Sequence, residues 1–372
     1  MDKKTRSCIV FTPASEALRG VCGFYRIALE TTGLDVRLIN PRTTSSIISD
    51  LTKAIDESLL FFLSFEGDCT ALTTHDGKNF FNLIRRPIIT LCDGDPPVIA
   101  AAPQVIFGLR NKFKTSGSCY FAPHPGLCID GEDMKRDIDA AFCYELKNPD
   151  SFREQWHADS GMAQICEDVL DILLTEERVT ARQAFDTTME GHGIYLENWK
   201  PVEHAFSPIY ARSSWDFKTE CIRLVDGFME NRRRSLLFDT LTKSGINVTS
   251  ISSPSFDEYL QILRRSKIVL SAGATLEYSL PWHMSCGIAS GAVAAADGNA
   301  FIDEAFADDD YIPYSHNSYE MLADRIKEMI HSPSRLASAS ESGRQVIEAN
   351  YTPAHAVEKL ILAADYSKLL HG

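Results

Sequence analysis

The sequence predicts an α/β protein built from two doubly wound parallel sheets. Short apolar runs alternate with helical stretches through residues 8–144, and the alternation resumes at residues 221–314. Many of these runs end in turns of small residues or of Gly, Asp and Pro, the punctuation of strand–turn–helix repeats. The chain has 372 residues, and at about 100–200 residues per domain two units follow. Ligands of such sheets bind outside the carboxyl ends of the strands.

In the first half, residues 8–12 (CIVFT) read as a buried strand. Residues 20–23 (GVCG) lead into a helix over 24–30, followed by a strand at 35–40 and a helix at 47–55. Residues 59–65 form a third strand ending at Glu66-Gly67-Asp68, and residues 87–92 a fourth ending at Asp93-Gly94-Asp95-Pro96-Pro97. A fifth strand covers 118–122 and ends at Pro123-His124-Pro125-Gly126, and a sixth covers 140–144. Residues 150–190 carry apolar residues at helical spacing (Ile165, Val169, Leu170, Leu173, Leu174) and read as two or three helices. Residues 191–215 read as a connector.

The second unit is expected to open with a strand at 221–225 (CIRLV) and a helix at 233–243 closed by Gly245. A strand at 247–251 and an amphipathic helix at 257–264 follow. The stretch around which the unit is organised is 267–306. A strand at 268–270 runs into the small-residue turn Ser271-Ala272-Gly273-Ala274-Thr275. A helix then starts near Pro281, a second strand covers 289–296 and ends at Asp297-Gly298-Asn299, and a short helix carries Glu304. A last strand covers 311–314, and three helices close the chain at 319–331, 333–350 and 353–370. Two of these open on Ser332-Pro333 and Thr352-Pro353, with Pro in the first helical position where its missing N–H costs nothing.

The formal net charge is −14, which argues against a bulk nucleic-acid binder. The ten cysteines show no C-x-x-C pair and read as reduced, buried thiols. No apolar stretch reaches the length of a membrane span, and the amino-terminal run before Pro13 is too short for a signal peptide. A cytoplasmic protein without a stable membrane span is expected.

The segment SFDEYLQILRRSKIVLSAG resembles the helix–strand pair that precedes the donor-sugar loop of GT-B glycosyltransferases. LPWHMSCGIASGAVAAADGNAFIDEAF is similar to their P-x-E-A-M-A-C-G-x-P-V-V…E segment, and SYEMLADRIKEMIHSPSRLASASESGRQVIEANYTPAHAVEKLI to their closing helices. The nearest flavour is the glycosyl transferase family 1 module of spore-maturation-type transferases, over roughly residues 221–365. The resemblance implies a GT-B fold of two Rossmann-like domains facing across a cleft. Residues 1–200 would be the acceptor-side domain with a helical extension. Residues 201–372 would bind the nucleotide-sugar, with the last helix crossing back to the first domain. It implies transfer of a sugar from a nucleotide-sugar donor to a glycan, lipid or protein acceptor, with no cofactor, no divalent metal and no nucleic acid. One departure stands out. The first Glu of the family's E-A-M-A-C-G falls on Trp282.

Transfer requires that the leaving diphosphate be stabilised, the sugar oriented and an acceptor hydroxyl deprotonated. In the resembling family a basic residue after the first strand of this unit contacts the diphosphate, which implies Arg232 or Arg233 here. Gly273, Thr275, Glu277, Tyr278, Ser279, His283, Asn299 and Glu304 complete the donor set, with Glu277 or His283 in place of the missing Glu. His124 and Asp95, then Glu66, are the expected bases, each following a strand. Gly20, Gly23 and Arg26 match the glycine-rich first loop that the family sets against the sugar. Asp93-Gly94-Asp95 also has the D-x-D form that holds a divalent ion, a less favoured reading here. Two alternatives stand beside the transferase: a nucleotide-sugar 2-epimerase of GT-B-like fold and a non-catalytic binding subunit.

Overall fold

The structure is a computed structural model that describes residues 6–41, 47–70, 72–92, 104–110, 119–128, 134–176, 179–194, 214–252, 254–272 and 278–371. The first sheet is laid down by β1 (Ser7–Phe11), α1 (Glu16–Thr31), β2 (Asp35–Ile39), α2 (Ile47–Ala54), β3 (Leu59–Phe65), α3 (Phe80–Ile84), β4 (Ile88–Cys92), β5 (Val105–Leu109) and β6 (Cys119–Phe121). Its six strands are parallel, in the order β2-β1-β3-β4-β5-β6. Strands β1, β3 and β4 are buried along their whole length, which is why they read as continuous apolar runs rather than alternating ones.

The second sheet begins earlier than the expected division at residue 200. Strand β7 (Ile138–Phe142), expected as a sixth strand of the first unit, pairs with β8 (Val248–Ser250) and β9 (Ser266–Ser271). Between β7 and β8 the described residues form four helices: α4 (Asp150–His157), α5 (Ser160–Thr175), α6 (Ala181–Gly191) and α7 (Ser214–Lys243). Then follow α8 (Phe256–Arg265) before β9, α9 (Trp282–Ala289), β10 (Val293–Asp297), α10 (Ala300–Ala305), β11 (Ile312–Tyr314), α11 (Tyr319–Ile330), α12 (Pro333–Asn350) and α13 (Pro353–His371). The order is β11-β10-β9-β7-β8, again all parallel. Both sheets thus reverse their winding at the strand laid down first, between β1 and β3 and between β7 and β9.

The expected strand at 221–225 is instead part of the 30-residue helix α7. Cys221, Leu224, Val225, Phe228 and Met229 are buried, a spacing of three and four that belongs to a helix. They join Trp156, Met162, Cys166, Val169, Phe185 and Phe217 in a separate helical core. Farther along, Leu237 and Leu241 enter the core of the second sheet, so α7 ties the insertion to that sheet. Burying each such side chain contributes about 1.5–3 kcal/mol.

One apolar seam joins the two sheets. It runs from Cys8, Tyr25 and Phe65 through Phe256, Tyr259 and Leu263 to Val357, Leu360 and Ala364. Helix α13 packs on α1 and β3, and Arg6 pairs with Asp365 at 3.3 Å. Backbone approaches are close along this seam. A Cβ on Gly126 would meet Ile347 Cγ2 at 2.4 Å and Ala289 Cβ at 2.8 Å, and one on Gly20 would meet the Phe256 ring at 2.1 Å.

Candidate functional site

The second sheet reverses between β7 and β9, and polar side chains converge there. Tyr144, two residues beyond β7, accepts a hydrogen bond from the Ala272 N–H at 2.9 Å, closing the gap between the two strand ends. Arg234 of α7 lays its guanidinium 4.4 Å over the Tyr144 ring, donates to the Ala272 carbonyl at 3.4 Å and pairs with Glu230 at 3.1 Å. The His283 ring stands 4.3 Å from the Tyr144 ring. Burial, then the charges of Arg234 and His124, push its pKa down to about 3. At the neighbouring strand ends, Tyr314 donates to the Ser271 carbonyl at 2.9 Å. His316 Nε2 lies 3.2 Å from Asp297 Oδ2, and its Nδ1 lies 2.8 Å from the Tyr319 hydroxyl.

Helix α7 explains how the arginines reach this edge. Asp226, Glu230, Arg233, Leu237 and Leu241 follow one face at i, i+4, i+7, i+11 and i+15. Its apolar end lies in the core of the sheet. Its polar end continues past the sheet edge. Arg233 is 8% exposed, and its charge is felt by the Tyr314 and Tyr319 hydroxyls. Among the described residues no hydrogen bond or ion pair joins it. A buried guanidinium of that kind has the charge and donors that suit an anion. Arg232, one residue earlier, is exposed. The Asp226 carboxyl is pushed up to about 8, by burial first and Glu230 next, against the opposing pull of Arg233 and Arg182.

Two of the expected diphosphate contacts are thereby separated, since Arg233 faces the edge and Arg232 faces solvent. Neither opens a helix, as expected from sequence; both lie within α7. The Ser279 hydroxyl is buried with no partner among the described residues, as is that of Ser271. Asn299 is spent on structure, because its carboxamide oxygen caps α10 through Phe301 N and Ile302 N and its nitrogen donates to the Ser279 carbonyl at 3.0 Å. Glu304 is exposed and accepts from the Tyr278 hydroxyl at 2.7 Å. The Tyr278 ring packs on Phe121 and Phe301.

On the first sheet, Glu66 stands exposed at the end of β3, beside the corresponding reversal, with a left-handed φ of 52°. His124 follows β6 and is 6% exposed, its ring edge-on to Trp282 at 5.2 Å. It therefore lies on the seam with the second domain. Gly20, Gly23 and Arg26 do not form a loop. They lie within α1, where Gly20 makes room for Phe256 and Arg26 pairs with Glu30 at 3.3 Å. Asp93, Asp95, Gly273, Thr275 and Glu277 lie outside the described residues. Tyr144, Arg234, Asp297 and His316 were not singled out from sequence. The signal that finds them is position directly after a strand of the second sheet, or one face of α7, once β7 is placed in that sheet.

A family model described as glycosyl transferase-like matches residues 232–361. A search of curated proteins found no match. Among solved structures, an alpha-glucosyltransferase in complex with UDP and a 13-mer DNA containing an HMU base is similar at a TM-score of 0.51 and 9% identity, over 98% of this chain and 100% of that one. An alpha-glucosyltransferase in complex with UDP-glucose and DNA containing an abasic site is similar at 0.50 and 10% identity, over 97% and 99%. At these identities the likeness is one of fold, and it bears out the expected GT-B arrangement of two Rossmann-like domains.

Proposed function

We propose that this GT-B chain, with its glycosyl transferase-like carboxy-terminal module, moves a sugar from a nucleotide-sugar donor to an acceptor without a bound metal. The observation that carries the reading is Arg233, a buried guanidinium without a partner among the described residues, at the carboxyl edge of the second sheet beside Arg234. A diphosphate supplies the matching charge, and two guanidinium groups with the first turn of α9 offer enough donors to replace a cation. Tyr144 and His283 border the same space. Asp297 ends β10 as an acceptor for ribose or hexose hydroxyls.

Two described side chains are suited to take the acceptor proton. Glu66 is accessible at the first sheet's reversal, and His124 lies on the seam facing Trp282. Two of the similar glucosyltransferase structures hold DNA. At a net charge of −14 this chain has little to offer a polyanion, and we assign it a carbohydrate, lipid-linked glycan or protein acceptor. Among the described residues no helix is long and apolar enough to cross a membrane. We place the reaction in the cytoplasm.

The test is product analysis with UDP-, GDP- and CMP-sugars, each with and without acceptor mixtures, in the presence of a chelator. Sugar transfer or slow donor hydrolysis that survives the chelator and is lost in Arg233→Ala is expected. Epimerised donor formed without acceptor points to the epimerase. No turnover and no binding of any donor contradicts the reading.

A further inference from the structure

We propose that Tyr259 is a positioning residue that locks His283 as its Nε2–H tautomer, so that an uncharged N–H is available to the departing diphosphate. The proposal rests on the transferase reading and deepens it at one residue. The Tyr259 oxygen lies 3.0 Å from His283 Nδ1. Tyr259 is buried, and burial lifts its pKa well above the usual phenol value, so it keeps its proton. A buried O–H needs an acceptor, and among the described residues His283 Nδ1 is the acceptor at hydrogen-bond distance. With Nδ1 accepting, the single proton of the neutral ring sits on Nε2.

Packing holds the ring in that orientation. Tyr144 and Tyr259 meet it edge-on at 4.3 and 5.4 Å, while Trp282 stacks on Tyr259 at 6.3 Å. The charges facing His283 are those of Arg234 and His124, and both oppose its protonation. The Cys143 and Cys286 thiols beside Tyr259 are pushed up to about 12, chiefly by burial, and stay neutral. His283 is the second residue of α9, in the first turn, where backbone N–H groups have no intrahelical partner. Such a donor needs no reorganisation as charge grows on the leaving group.

The test reads the tautomer directly. Long-range 1H–15N correlation spectra of the full chain with 15N-labelled histidine, assigned with His283→Gln, should show a bare Nδ1 and a protonated Nε2 that does not titrate between pH 7 and pH 5. Tyr259→Phe should redistribute the ring between tautomers and raise its pKa. Whichever of UDP, GDP and CMP binds should move the Nε2–H proton signal downfield. In turnover, Tyr259→Phe should lower kcat by about tenfold with KM nearly unchanged. A protonated Nδ1 in the unmodified chain, or a tautomer unchanged in Tyr259→Phe, overturns the assignment. A nucleotide that binds yet leaves the His283 signals unmoved overturns the donation while the transferase reading stands. No binding of UDP, GDP or CMP with the tautomer intact sinks the transferase reading, and the donation with it.

Discussion

The two sheets wind in the same order and reverse at the same point, yet their carboxyl edges are built differently. At the second reversal, Tyr144 bridges to Ala272, Arg234 lies on Tyr144, and Arg233 and His283 stand beside them. These side chains are fixed by packing before any ligand arrives. At the first reversal the described edge is mainly backbone turn. Glu66, Gly67 and Cys69 all take left-handed φ, and the Gly67 N–H is held by the Thr90 hydroxyl at 2.8 Å. A pre-set polar edge suits one invariant ligand, and a turn suits a variable one. The proposed reading puts the donor at the second sheet and the acceptor at the first, in keeping with that difference.

The largest test of that division is the pair of neighbouring arginines. Arg233→Ala should weaken nucleotide affinity by about 2–4 kcal/mol, or thirty-fold to several hundred-fold, because a buried charge contact is lost outright. Next, Gly126→Ala presses a methyl into Ile347, Ala289 and the Ser285 carbonyl. It should cost about 1–3 kcal/mol of stability in denaturant titration. Because it moves the seam that carries His124, it should also lower turnover more than donor affinity.

Asp226→Asn should act in the other direction. The Asp226 pKa is raised to about 8 in the folded chain against 3.8 for the free carboxyl. The cost of ionising it in place is absent below pH 4 and grows as pH rises through 8. The variant should therefore gain little at pH 4 and on the order of 1–3 kcal/mol at pH 8, read as a widening gap in Tm. His283 has the opposite slope. With its pKa lowered to about 3 from 6.5, its share of stability is complete above pH 6.5 and drains as pH falls towards 3, at no more than about 1.4 kcal/mol per pH unit. His283→Gln should flatten that acid limb. The smallest effect is expected at Arg232→Ala, within about 0.5 kcal/mol for both stability and nucleotide binding, as for an exposed side chain.

Most of the strands were legible because buried parallel strands are uninterrupted apolar runs, as in residues 59–65 and 88–92. Residues 221–225 misled for a related reason. A five-residue window of CIRLV cannot separate strand from helix, and only the longer pattern of Cys221, Leu224, Val225, Phe228 and Met229 shows the helical period. That error moved the start of the second sheet away from β7 and hid Tyr144. Strand β5 was missed because VIFGL is short and broken by Gly108, where a Cβ would meet Leu91 Cδ2 at 2.6 Å. His283 and Ser279 draw attention in the sequence because they follow a small-residue turn at a strand end. Arg233 was legible as a charge, but which member of the run faced inward depended on the phase of α7.

The account turns on Arg233 being the grip for a nucleotide diphosphate. Isothermal titration of UDP, GDP and CMP into the unmodified chain, Arg233→Ala and Arg232→Ala tests it most directly. The prediction is that one nucleotide binds the unmodified chain and Arg232→Ala alike, and binds Arg233→Ala at least thirty-fold more weakly. Equal affinity in all three proteins, or no binding to any, would contradict it.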